Sequence, residues 1–90
     1  MMNDRVPRQV EGFTLEQFDN EILLFNVAKD ETLYLNATAA MIWSLCDGEH
    51  KVSEMLELIA SGYPDSAANV ERDLYATLQN LSRHGAIEFS

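Results

Sequence analysis

Cysteine occurs once in this chain, at Cys46, so no intrachain disulfide can form and packing must hold the fold. Basic residues are scarce: six stand against fifteen acidic ones, for a net charge of −9. They are scattered at Arg5, Arg8, Lys29, Lys51, Arg72 and Arg83, with no cluster in the sequence that could grip a phosphate backbone or an anionic lipid surface. Neither nucleic acid nor membrane is therefore an expected partner, whereas a basic partner, or a peptide with basic flanks, suits this field. Histidine occurs only at positions 50 and 84. With one cysteine they do not make up the three or four nitrogen or sulfur ligands of a zinc site. The four glycines, Gly12, Gly48, Gly62 and Gly85, each punctuate an element and form no phosphate-cradling loop. No metal and no other cofactor is expected. No apolar run approaches the ~20 residues of a membrane span. The polar residues 1–9 are not followed by the apolar stretch of a secretory signal. A buried, reduced thiol in a cytoplasmic protein is the resulting expectation.

What is present is an ordinary globular composition, 47% hydrophobic and 23% charged over 90 residues. That is one domain, burying roughly 60 to 65% of its unfolded surface. Residues 1–11 show little periodicity and read as a flexible arm before a domain spanning 12–90. Strand-like patterns begin at Phe13, at Ile22 and at Thr32, separated by the polar turns Asp19-Asn20 and Lys29-Asp30-Glu31. Short turns between three strands imply an antiparallel meander. Asn36 then supplies an N-cap for a helix over about residues 37–46, with Gly48 as its stop. In it Ala39, Ile42, Trp43 and Cys46 share one face. A second helix is expected over residues 52–61, opened by Lys51 or Ser53. Gly62-Tyr63-Pro64-Asp65 breaks the chain, and Asp65 or Ser66 caps a third helix reaching His84. Its stripe is Val70, Leu74, Leu78 and Leu81. Residues 86–89 form a short extended tail that can add a strand. The fold class is α+β: a three-stranded antiparallel N-terminal sheet followed by three helices, winged-helix-like.

No catalytic constellation stands out. Cys46 lies beside Asp47 and Glu49, which raise a thiol pKa rather than activate it. Glu54 and Glu57 suit the positive end of a helix, and Glu71 and Asp73 a solvated face. His84 complements a helix C-terminus. Trp43 reads either as a core anchor or as a ligand platform, with its spacing among Ile and Leu favouring the core.

The run Tyr34-Leu35-Asn36-x-Thr38-Ala39-Ala40-x-Ile42-Trp43-x-Leu45-Cys46-Asp47-Gly48 resembles the PqqD family. So do Val52-x-Glu54-Met55, Val70-x-x-Asp73-Leu74, Leu78, Leu81 and Gly85-Ala86-Ile87. These are the small peptide chaperones of pyrroloquinoline quinone biosynthesis and the related recognition elements for ribosomally made, modified peptides. The resemblance covers about residues 12–89. It implies a non-catalytic adaptor that takes the leader of a precursor peptide as an added strand on the third strand, in a cleft beside the third helix. It further implies a modifying enzyme as partner, such as a radical SAM protein or a leader protease, without saying which pathway is served. Thr32, Leu33, Tyr34 and Leu35 would then form one wall, and Arg72, Tyr75 and Gln79, off the core stripe, the other. For Tyr75, a half-buried place flanking the stripe fits the spacing as well. The rival reading is a winged-helix DNA-binding or regulatory protein, opposed by the charge and by Glu71 and Asp73 on the would-be recognition helix.

Overall fold

Asn36 is extended, and its side-chain Oδ1 accepts the Ala39 amide at 2.7 Å. One orphan donor of the first helical turn is thereby satisfied, and helix α1 (Ala37–Leu45) starts there. The computed structural model describes residues 2–62 and 67–89. A short 3-10 turn, Met2–Asp4, precedes strand β1 (Pro7–Gln9). Strands β2 (Thr14–Phe18), β3 (Glu21–Asn26) and β4 (Glu31–Leu35) form an antiparallel sheet in the order β2-β3-β4. After α1 come α2 (Val52–Ala60), α3 (Ala67–Arg83) and β5 (Ile87–Phe89). The caps expected at Asp65 and Ser66, and the Tyr63-Pro64 break, lie outside the described residues.

The β2–β3 connection is tight because Asp19 takes a left-handed φ of 50°, which a short polar side chain tolerates. The second hairpin differs in detail from expectation. Asn26, nearly buried, accepts the Lys29 amide through Oδ1 at 3.1 Å and ends β3 two residues early. Val27 and Ala28 therefore lie in the turn. Lys51 opens α2, and its backbone amide is satisfied by Glu54 Oε1 at 2.9 Å. At the far end of α3, Ala86 donates to the Leu81 carbonyl and Gly85, with φ 73°, to that of Ser82. This paired closure turns the chain sharply into β5.

The core joins Leu24, Leu33 and Leu35 of the sheet to Ile42, Trp43 and Cys46 of α1. Val52, Met55 and Ile59 of α2 and Leu74, Leu78 and Leu81 of α3 complete it, with Ala86 and Ile87. Trp43 is thus a core residue. Val70, read as part of the stripe, packs against this cluster while half-buried.

The largest departure is at the N-terminus. Within the span expected as a flexible arm, Pro7–Gln9 pairs antiparallel with β5, and Pro7 is fully buried. Gln9 donates its amide to the Cys46 carbonyl at 2.9 Å and its side chain to Trp43 O at 3.0 Å. Arg5 O accepts the Val52 amide at the start of α2, and the Arg5 guanidinium lies 5.3 Å from the Phe89 ring centroid. Three residues with no apolar alternation give no strand signal, because their ladder partners lie some 80 positions away. Gly48 also changes role. Cys46 is the C-cap of α1, and Gly48 donates to Pro7 O at 3.0 Å.

Gly48 has φ 78°, and a Cβ there would meet the Arg8 Cβ at 3.2 Å. Gly48→Ala is expected to lower stability by about 1–2 kcal/mol from the left-handed backbone alone. Gly62→Ala, where among the described residues a Cβ meets Ile59 O alone, at 3.6 Å, is expected to be close to neutral. Urea unfolding of the two variants checks this, and equal midpoints would contradict it.

Candidate functional site

Strand β4 is hydrogen-bonded to β3 on one side and, among the described residues, has no strand on the other. Its alternation sends Leu33 and Leu35 into the core and Thr32 and Tyr34 to the opposite face, where Tyr34 is 74% exposed. Such an edge offers a row of amides and carbonyls to an extended chain.

Beside this edge runs a groove of about 270 Å³. One wall is Tyr34, Leu35, Asn36 and Ala39; the other is Ala76, Thr77, Asn80 and Leu81 of α3. Leu35 and Leu81 belong to the core and make an apolar floor. Ala39 and Ala76 are small enough to leave the space open. Thr77 and Asn80 add hydrogen-bonding groups at the rim. At one end His84 Nδ1 and Glu31 Oε2 meet at 3.3 Å, tying the C-terminal end of α3 to the start of β4. Strand and helix therefore run in opposite senses along the groove.

Of the seven residues singled out from the sequence, Tyr34 and Leu35 line this groove. Thr32 lies on the outer face of the same strand, and Leu33 is buried beneath it. Arg72, Tyr75 and Gln79 are not brought to the groove. Arg72 donates to Asn69 Oδ1 at 2.6 Å, and Gln79 is exposed. Tyr75 is half-buried and its hydroxyl donates to Asn3 Oδ1 in the N-terminal turn. The stripe Leu74, Leu78, Leu81 has two flanks, roughly 100° of helix turn from one residue to the next. Periodicity identifies the stripe without telling which flank faces β4. The N-terminal segment occupies the flank of Tyr75, so the other flank, with Ala76, Thr77 and Asn80, faces the strand. The small Ala76 was the available signal.

A family model for coenzyme PQQ synthesis protein D (PqqD) matches residues 21–87. The chain belongs to the PqqD family. The match begins at β3 and ends in β5, so it contains β4, α3 and the whole groove. No curated protein sequence matches the chain. Among solved structures, TbiB1 in complex with the TbiA(beta) leader peptide is similar at 25% identity, with a TM-score of 0.73 over 90% of this chain and 94% of that one. Lasso peptide synthetase B1 complexed with the leader peptide shares the fold at 24% identity, with a TM-score of 0.75 over 92% and 98%.

Three groups of this PqqD-family chain whose titration is displaced by their surroundings, Cys46, Asp47 and His50, are not among the residues lining the groove. Burial, reinforced by the neighbouring Asp47 carboxylate, pushes the Cys46 thiol up to about 12, and Sγ contacts Ile42 O at 3.2 Å. A thiol so placed is protonated at neutral pH and is a poor nucleophile. Cys46 is expected to resist thiol reagents at pH 8 in the folded protein and to react once urea unfolds it; fast labelling in the native state would contradict this. Among the described residues no group of three or more His, Cys, Asp or Glu is arranged to hold a metal ion.

Asp47 and His50 form an exposed pair after α1, with His50 Nδ1 2.8 Å from Asp47 Oδ2. The Glu49 amide, then the His50 ring, hold the Asp47 carboxyl below its ordinary 3.8. The Asp47 hydrogen bond and charge raise His50 above its ordinary 6.5. The His50 contribution to stability is complete below the unfolded pKa and fades as pH rises through the raised one. That of Asp47 is present above its unfolded pKa and fades as pH falls through the lowered one. The pair thus favours the folded state most between these two titrations. An NMR titration is expected to place the His50 midpoint above 6.5 and to move it down in Asp47→Asn; an unmoved midpoint would count against the pair.

Proposed function

We propose that this chain is a non-catalytic peptide-binding adaptor. It holds the leader of a ribosomally made precursor as an added strand on β4 and presents the remainder to a modifying enzyme, such as a radical SAM protein or a leader protease. The groove along the free edge of β4 carries this reading. Main-chain pairing supplies affinity with little regard to sequence, and alternate side chains entering the groove supply selectivity. The similar TbiB1 structure, which holds a leader peptide, supports the same class of ligand. The sheet and three helices are taken as winged-helix-like, with residues 12–90 as the peptide-binding unit and β1 as its brace. The cytoplasm, where ribosomal precursors arise and a lone thiol stays reduced, is the proposed location. A nucleic-acid role gains nothing from α3, whose exposed Glu71 and Asp73 flank Arg72.

In this reading Thr32, Tyr34 and Leu35 contact the peptide on one side and Ala76, Thr77 and Asn80 on the other, with Leu33 supporting the strand from the core. Arg72, Tyr75 and Gln79 contribute only to a peptide that continues past the groove. Titrating isotope-labelled protein with the leader encoded beside its gene is expected to move the amides of residues 32–35, 76, 77 and 80. Ala76→Arg, at an exposed position, is expected to weaken the leader at least about tenfold, or about 1.4 kcal/mol. Arg72→Ala and Gln79→Ala are expected to change it by less than about twofold. Shifts centred on residues 72, 75 and 79, or no binding to any neighbouring precursor, would overturn the assignment.

A further inference from the structure

A sheet that packs one face on a core ordinarily turns polar side chains to water on the other. The sheet β2-β3-β4 does so only in part, since apolar side chains are interleaved with the polar ones. Its register sets Leu23 between Glu16 and Tyr34, and Phe25 between Thr14 and Thr32. All six are on the face away from the helices, and Phe18 extends the row beside Glu21. Phe18 is 52% exposed, Tyr34 74% and, at the adjoining turn, Val27 84%. Leu23 and Phe25 are half-buried and stand outside the core cluster. Phe18, Leu23, Phe25 and Val27 together line a hollow of about 370 Å³, larger than the groove beside α3. Contiguous exposed apolar surface of this kind marks interaction sites.

The rim decides the occupant. Glu16, Asp30 and Glu31 line the hollow, and Asp19 and Glu21 stand nearby in the first hairpin. Residues 14–35 hold these five carboxylates and one lysine or arginine, Lys29, with Glu31 also meeting His84 of the α3 end. A second copy would bring the same five carboxylates, and another net −9, against them in a two-fold interface. A surface with cationic groups around an apolar centre complements the rim instead. The face is also continuous with the edge that takes the peptide, because Thr32 and Tyr34 project onto it from β4.

We propose that the outer face of the β2-β3-β4 sheet is the docking surface for the modifying enzyme, through an aliphatic or aromatic knob ringed by lysine and arginine. This rests on the adaptor reading and adds to it a second, separate interface. The enzyme would sit against the strand that carries the peptide, so the segment leaving the groove emerges at its border.

The test uses the full chain and, as probe, the purified modifying enzyme encoded beside its gene, with leader affinity measured in parallel. Phe18→Glu and Val27→Glu alter exposed positions and are expected to keep the native circular dichroism. Each is expected to weaken the enzyme at least about tenfold while changing leader affinity by less than about twofold. Enzyme affinity of the unaltered chain is expected to fall with rising salt. Leu58→Glu, on the exposed side of α2, is expected to leave both affinities unchanged. Leader binding retained with enzyme affinity unchanged in both variants would overturn this inference alone, as would weakening by Leu58→Glu in their place. Loss of leader and enzyme binding together in Phe18→Glu and Val27→Glu would overturn the separation of the two interfaces. An unaltered chain that sediments as a dimer, split by Phe18→Glu, would assign the face to a second copy. An unaltered chain that binds no leader would overturn the adaptor reading and this inference with it.

Discussion

Burial of the α3 leucine stripe is the constraint from which the rest of the molecule follows. Leu74, Leu78 and Leu81 are fully removed from water, against the sheet, α1 and α2. Each such side chain contributes roughly 1.5–3 kcal/mol relative to exposure, a large fraction of what a domain of this size holds in reserve. A helix committed along one stripe keeps two flanks. The N-terminal turn takes the first, through Asn3 on Tyr75. The second stands opposite the outer edge of β4, where the small Ala39 and Ala76 leave the gap open. The groove is therefore a consequence of how α3 is packed, and the core leucines Leu35 and Leu81 form its floor.

Much of this fold could be read from local chemistry. Asn36, Asp19 and Gly85 act within a few residues of themselves, through a cap, a turn and a helix closure, and their sequence signals are correspondingly clear. The helices and the meander follow from short-range periodicity in the same way. What periodicity does not carry is azimuth and partner. The choice between the Tyr75 and Ala76 flanks depends on where residues 2–9 return after the chain has closed, through β1 on β5 and Gln9 on α1. Gly48 shows the same effect. It has the look of a helix stop, yet its backbone conformation is tied to the approach of Pro7 and Arg8.

The electrostatics separate the two surfaces that the sheet offers. Along the groove the described contacts are apolar or neutral, apart from the Glu31–His84 link at one end, so pairing there depends on the backbone ladder and on fit. A ladder contact changes little with ionic strength, since neutral amides and carbonyls make it. The outer face is different: carboxylates ring apolar side chains, and a partner that complements them gains in encounter rate as well as affinity. One ligand would thus be held by shape and the other drawn in by charge.

That division bears on how an adaptor can serve more than one peptide. If affinity for the leader came from surface charge, every change in the peptide's charged residues would alter binding, and the acidic field would attract any basic chain. A neutral groove along a strand edge tolerates variation at positions whose side chains point outward. It still rejects those too large for the space between Ala39 and Ala76. In the proposed docking, a charged rim around an apolar centre would select the enzyme against copies of the chain itself. Strand β4 borders both surfaces because its residues alternate: Leu33 and Leu35 tie it to the core beneath the groove, while Thr32 and Tyr34 carry its other side onto the outer face. A single-residue slip in its register would exchange those roles and lose both. The first physical demand on this segment is therefore its pairing with β3, ahead of the identity of any one exposed side chain.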